Sequence, residues 1–99
     1  MQMTEAELQR LICKLAVAQG WRVYRTHGGF QKIKPNPGCA GFPDLILCKR
    51  NVLYVEVKGE KGRVDAEQTA WHEALVAAGA RVRVWRPGDW VTIEEELGA

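Results

Sequence analysis

Hydrophobic positions recur along the chain with two periods, and the changes of period divide it into elements. Leu8, Leu11, Ile12 and Leu15 fall on one helical stripe. Thr4 with Glu7 three residues later forms a capping box that opens this helix, and Gly20 closes it. Trp21 to Arg25 then alternates, the pattern of a short strand. The apolar runs Leu45-Ile46-Leu47-Cys48 and Val52-Leu53-Tyr54-Val55, separated by Lys49-Arg50-Asn51, predict an antiparallel hairpin largely buried on both faces. Asp65 with Gln68 is a second capping box, opening a helix that carries Trp71, Leu75 and Ala78 inward and ends at Gly79. Arg81 to Trp85 alternates again, with its arginines on one side. Beyond a turn at Pro87-Gly88-Asp89, Trp90 to Ile93 predicts a short edge strand and Glu94-Glu95-Glu96 a solvated helical turn. The order α-β-β-β-α-β, without repeat or linker, predicts one α/β domain over residues 1–99: a mixed sheet flanked by helices.

Residues 26–43 break this regularity with four glycines, three prolines and few aliphatic side chains. Loops of that length in small domains are commonly functional. At 46% hydrophobic and 26% charged residues, the chain has the composition of a globule rather than of a disordered or fibrous protein. No apolar run reaches the roughly 20 residues of a membrane helix, so no membrane partner is expected, and the acidic N-terminal residues do not resemble a signal peptide. Cys13, Cys39 and Cys48 are widely spaced, with no Cys-x-x-Cys pair. They predict reduced thiols in a cytoplasmic setting rather than a disulfide framework or a thiolate zinc site. Gly28-Gly29 lacks the context of a nucleotide-binding loop, so no nucleotide cofactor is expected.

The net charge of +2 conceals an asymmetry. Residues 22–63 hold nine basic groups against three acids, and residues 64–99 hold three against seven. A basic middle suits a polyanion but also a plain solvated face, so it needs a second feature beside it. The hairpin supplies one. Asp44 opens its first strand, and Glu56 and Lys58 lie near the end of its second, where charges are costly unless paired or bound to a metal. Residues 56 and 58 share a face. A two-residue turn at Arg50-Asn51 would send Asp44 to the opposite face, whereas a three-residue loop at Lys49-Arg50-Asn51 pairs 44 with 56. The three-residue loop is the expectation, with Asn51 tolerating the left-handed conformation it would need. Two carboxylates converging with a lysine suit a magnesium ion, and the lysine suits the orientation of an attacking water. A Glu56–Lys58 ion pair at a strand end would be the bland alternative for those two residues alone.

Pro43-Asp44 followed by Glu56-Val57-Lys58 resembles the PD-(D/E)XK nuclease signature, and the element order resembles the restriction-endonuclease-like core. More narrowly, the chain resembles the stand-alone VRR-NUC domains of bacteria and phages. The resemblance is carried by Thr4-Glu5-Ala6-Glu7-Leu8-Gln9, Gly41-Phe42-Pro43-Asp44-Leu45, Val55-Glu56-Val57-Lys58 and Asp65-Ala66-Glu67-Gln68, in the family's order. It implies that Asp44 and Glu56 ligate Mg2+ or Mn2+, with the Val57 carbonyl as a further oxygen. Lys58 would position or activate the water, and a glutamate of the first helix would complete the acidic shell. Glu7 is accounted for by the capping box; Glu5 has no evident structural job, matches the family position and is the choice. Gln68 is both a capping partner and, by the resemblance, a residue of the catalytic site.

Arg25, Lys32, Lys34, Lys61 and Arg63 surround this site in sequence and are the expected phosphate contacts, with His27 either a DNA contact or a solvated loop residue. His72 reads as a surface residue on a helix flank. The four tryptophans read as core and edge packing rather than a base-stacking platform. The expected activity is metal-dependent, structure-specific DNA cleavage, and the resemblance implies a homodimer that resolves Holliday junctions. The alternatives are a flap or general DNA nuclease, or a nucleic-acid-binding module of the same fold without catalysis. Apolar residues around Trp85, Trp90, Val91 and Ile93, or the first helix, are the expected dimer contact.

Overall fold

A computed structural model describes residues 3–26 and 40–98. Helix α1 (Glu5–Ala18) starts where the capping box places it. The Thr4 hydroxyl oxygen accepts from the Glu7 N–H at 3.1 Å, and the Glu7 carboxylate reaches back to the Thr4 hydroxyl at 2.9 Å. Its buried stripe is Leu8, Ile12 and Ala16, an i, i+4, i+8 row. Leu11, expected on that stripe, lies on its shoulder and is 38% exposed, because successive i+4 steps carry the row away from it.

Strands β1 (Arg22–Arg25), β2 (Leu45–Cys48), β3 (Val52–Val57) and β4 (Arg81–Trp85) form one mixed sheet in that order. The first two pairings are antiparallel, and β3–β4 is parallel, crossed over by helix α2 (Ala66–Ala77). Leu45 pairs with Val55 and Cys48 with Val52, so the connection is the three-residue loop over 49–51. The expected left-handed Asn51 is absent: among the described residues only glycines have positive φ. The loop closes instead by an N–H of Lys49 donating to the Asn51 carbonyl at 3.1 Å.

The two faces of the sheet are unequal. Leu45, Leu47, Leu53, Val55, Val57 and Trp85 alternate onto one face and are sealed by Leu8, Ile12 and Ala16 of α1. The other face, which includes Ile46 and Tyr54, is only half buried under α2, so the hairpin is not buried on both sides as expected. No residue of α2 is fully buried; Trp71 and Leu75 are half-buried, and Ala78 is an exposed C-cap rather than an inward residue.

The predicted edge strand at 90–93 is a helix. After a 3-10 turn at Pro87–Asp89, in which the Asp89 carboxylate accepts from the Arg86 N–H at 2.9 Å, α3 runs over Trp90–Gly98. Trp90 packs against the core, and Ile93 and Leu97 are wholly within it. That is the i, i+3, i+7 spacing of a helix face, and it outweighs the strand preference of Trp-Val-Thr-Ile. Two contacts fasten α3: the Trp21 indole N–H donates to the Leu97 carbonyl at 2.8 Å, and Arg83 grips Glu96 bidentately with N–O distances of 2.8 Å. No helix among the described residues is long and apolar enough to cross a membrane.

Ile93→Ala should therefore cost about 2–5 kcal/mol in urea unfolding, the range for emptying a packed aliphatic site. Val91→Ala, at a position 67% exposed, should stay within about 0.5 kcal/mol of the parent. Similar costs at both positions would contradict a helical face.

Candidate active site

One end of the sheet gathers the chemistry. The hairpin register places Asp44 opposite Glu56, one step beyond the Leu45–Val55 pair and on the α2 side. Asp44 is anchored by its neighbours: its carbonyl accepts from the Thr26 N–H at 2.9 Å, and its Oδ2 accepts from the Val57 N–H at 2.8 Å. The Thr26 hydroxyl donates to the Pro43 carbonyl, which fastens the approach to Asp44 to the end of β1. Glu5, the first residue of α1, comes to the same place. One ligand oxygen from each of Glu5, Asp44 and Glu56 lies within 4.8 Å of the others. Glu7, by contrast, is occupied by its capping box. Glu5 thus stands in the acidic cluster and Glu7 in the cap.

Among the described residues Glu56 is the only charged side chain in the buried class, at 1% exposure. Burial chiefly, then the hydrogen bond and the charge of Asp44, push its carboxyl up to about 9; Lys58 pulls in the other direction. Gln68 holds one oxygen of this carboxyl and caps α2 at the same time. Its Oε1 accepts from the Asp65 N–H at 2.9 Å, which leaves Nε2 to donate to Glu56 Oε2 at 3.2 Å. One side chain thus caps α2 and hydrogen-bonds Glu56.

His72, expected on the surface, is the residue that sequence reasoning missed. Its Nε2 stands 3.5 Å from Glu56 Oε1, and its side chain is 13% exposed. Burial first, and then the charge of Lys58, lower its pKa. The available signal was its spacing: His72 lies four residues after Gln68, on the same helix face.

Gly41 explains how α2 comes so close. Its φ is +86°, and a Cβ there would stand 2.5–2.7 Å from the backbone of Glu67 and Gln68. Only glycine lets the segment leading to Asp44 lie against the first turn of α2. Arg86 makes a comparable contribution on the opposite flank. Its Nη1 donates to the carbonyls of Gly59 at 2.7 Å and Gly62 at 2.6 Å, holding the loop that follows Lys58. Lys58 itself continues the ladder, its N–H donating to the Trp85 carbonyl at 2.9 Å.

Of the expected phosphate contacts, Arg25 is exposed at the end of β1 beside this site, and Lys61 and Arg63 are exposed on the loop between Lys58 and α2. His27, Lys32 and Lys34 lie outside the described residues. Val57 is buried, with its N–H on Asp44. A cleft of about 630 Å³ lies at the other end of the hairpin, between Trp21, Lys49 and Glu96, and brings together none of these groups.

The donor set fits a hard divalent cation. It consists of carboxylate oxygens, and Glu56 Oε1 is buried without a hydrogen-bond partner among the described residues. An acceptor in that state costs about 1–3 kcal/mol unless something satisfies it. Oxygen donors of this kind suit Mg2+ or Mn2+ rather than thiophilic metals.

A mixed sheet with Asp44 and the Glu56-Val57-Lys58 triplet meeting at one end defines a nuclease domain of the PD-(D/E)XK class. The family model of the VRR-NUC domain matches residues 3–87, and the chain belongs to that family. Neither the curated proteins nor the solved structures give a match.

The raised carboxyl has a consequence for stability. Glu56 keeps its proton in the folded state up to about pH 9, whereas the unfolded chain loses it near 4.5. The folded form therefore binds more protons across that window, and stability falls as pH rises through it. In chelator, Tm should drop between pH 7 and 9, and Glu56→Gln should flatten that slope. An equal slope in the variant would show that Glu56 is not the responsible group.

Proposed function

We propose that this domain is a divalent-metal-dependent DNA endonuclease that cuts branched duplexes, Holliday junctions foremost, as a symmetric homodimer. The observation that carries the reading is the meeting of three acidic side chains around a buried glutamate oxygen without a hydrogen-bond partner among the described residues, beside a lysine and at a rim of exposed cations. A bound Mg2+ or Mn2+ would supply positive charge for the scissile phosphate and lower the pKa of a bound water.

The protein groups divide the remaining work. Glu5, Asp44 and Glu56, with the Val57 carbonyl, would hold the cation. The Lys58 ammonium, whose charge acts on both Glu56 and His72, would orient the attacking water and offset charge gathering on phosphorus. In that step the water oxygen forms a bond to phosphorus as the bond to the leaving sugar oxygen breaks. Gln68 keeps the Glu56 carboxylate in place. Arg25, Lys61 and Arg63, with His27, Lys32 and Lys34, would bind the flanking phosphates, a contact that does not depend on sequence.

Resolving a four-way junction requires two nicks, and the described residues of one chain offer one acidic cluster; a two-fold dimer matches the near two-fold symmetry of the junction. The apolar surplus expected near the C-terminus is smaller than the sequence implied, because Trp85 and Ile93 are in the core. Val91 on α3, 67% exposed, with Val17, 64% exposed, and Leu11, 38% exposed, on α1, are the exposed large apolar side chains of those elements among the described residues.

Purified protein with Mg2+ or Mn2+ should cut four-way DNA in preference to linear duplex and sediment as two chains. Asp44→Asn should reduce cutting by at least about a thousandfold (roughly 4 kcal/mol in the barrier) while binding and folding persist. Glu5→Gln should lose activity, whereas Glu7→Gln should retain it, since glutamine also serves at that position of a capping box. Metal-dependent cutting by Asp44→Asn would overturn the site. Junction binding without cleavage by the parent would instead indicate the catalytically silent module.

A further inference from the structure

Glu56 is approached from α2 by two side chains one helical turn apart. Gln68 Nε2 donates to Oε2 at 3.2 Å, while His72 Nε2 faces Oε1 at 3.5 Å. Glu56 Oε1 and His72 Nε2 are both buried, and among the described residues neither has another hydrogen-bond partner. Two unsatisfied polar atoms facing each other in one enclosed space are complementary when one carries hydrogen. A shift of a few tenths of an ångström closes the gap to hydrogen-bond length.

The imidazole is not itself among the clustered ligand atoms. Those of Glu5, Asp44 and Glu56 lie within 4.8 Å of one another, and that group does not take in His72. It faces Glu56 from α2, where a donor acts on a ligand rather than on the ion. Each carboxylate oxygen has two acceptor sites, so one hydrogen bond from α2 on each oxygen fixes the carboxylate plane and leaves lone pairs for a cation.

We propose that His72 is a positioning residue for the nuclease centre: with Gln68 it forms a two-pronged grip on the Glu56 carboxylate, donating through Nε2 to Oε1 and presetting Glu56 for a divalent cation. This inference rests on the metal-centre reading above. The role requires a hydrogen on Nε2, which both the neutral imidazole tautomer and the imidazolium provide, so it does not depend on a change of protonation. It makes α2 part of the metal centre, although α2 contributes no ligand.

The test compares Mn2+ affinity, read from the electron paramagnetic resonance of the free ion, in the parent and in His72→Gln, His72→Leu and Glu56→Gln. His72→Leu fills the space without a donor, whereas His72→Gln keeps an N–H of similar reach. Losing a hydrogen bond that orients a metal ligand typically weakens metal binding about 10–100-fold. His72→Leu should show that loss with little change of Tm in chelator, and His72→Gln should recover most of it. A leucine variant within about twofold of both the parent and the glutamine variant would overturn the grip while leaving the metal site intact, provided Glu56→Gln abolishes binding. Absence of Mn2+ binding by the parent would remove the metal-centre reading and this inference with it.

Discussion

A carboxyl group buried at the end of a central strand is the constraint around which this domain is organised. Glu56 lies on a strand whose other buried positions, Leu53, Val55 and Val57, are aliphatic and face the opposite side of the sheet, and at 1% exposure it has little access to water. Without a cation the protein keeps it neutral, with a proton held up to about pH 9. Replacing Glu56 by an aliphatic residue would remove that burden, as burying a charge offers stability little.

The surrounding elements serve that one group. The three-residue hairpin loop sets the register that brings Asp44 across from it. Glycine at position 41 allows the strand approach and the first turn of α2 to touch, which puts Gln68 within reach. Helices α1 and α2 both begin at this end, with Glu5 and Gln68 in their first turns. Their N-terminal partial positive charges favour negative charge at this end of the sheet. The opposite face of the sheet holds the aliphatic core under α1, away from this acidic cluster.

Much of this was legible in the amino-acid order because it depends on local rules. Both capping boxes form as read, and the first of them occupies Glu7. The hairpin length was right for a mistaken reason, since Asn51 never adopts the left-handed conformation. What escaped were features decided by tertiary packing. His72 reads as a polar residue on a helix flank until α2 is laid over Glu56. Trp90 to Ile93 reads as a strand because its residues favour one, and only the burial of Ile93 and Leu97 reveals the helix. The three carbonyls gathered by Arg86 come from a loop more than twenty residues earlier, which no local pattern announces.

Crystals soaked in Mn2+ and measured for anomalous scattering put the role of Glu56 to the most direct test. An anomalous peak bounded by Glu5, Asp44 and Glu56, with the Glu56 carboxylate as a ligand, is the predicted result. A peak elsewhere with Glu56 still enclosed and unliganded would mean that its burial serves some purpose other than holding a metal.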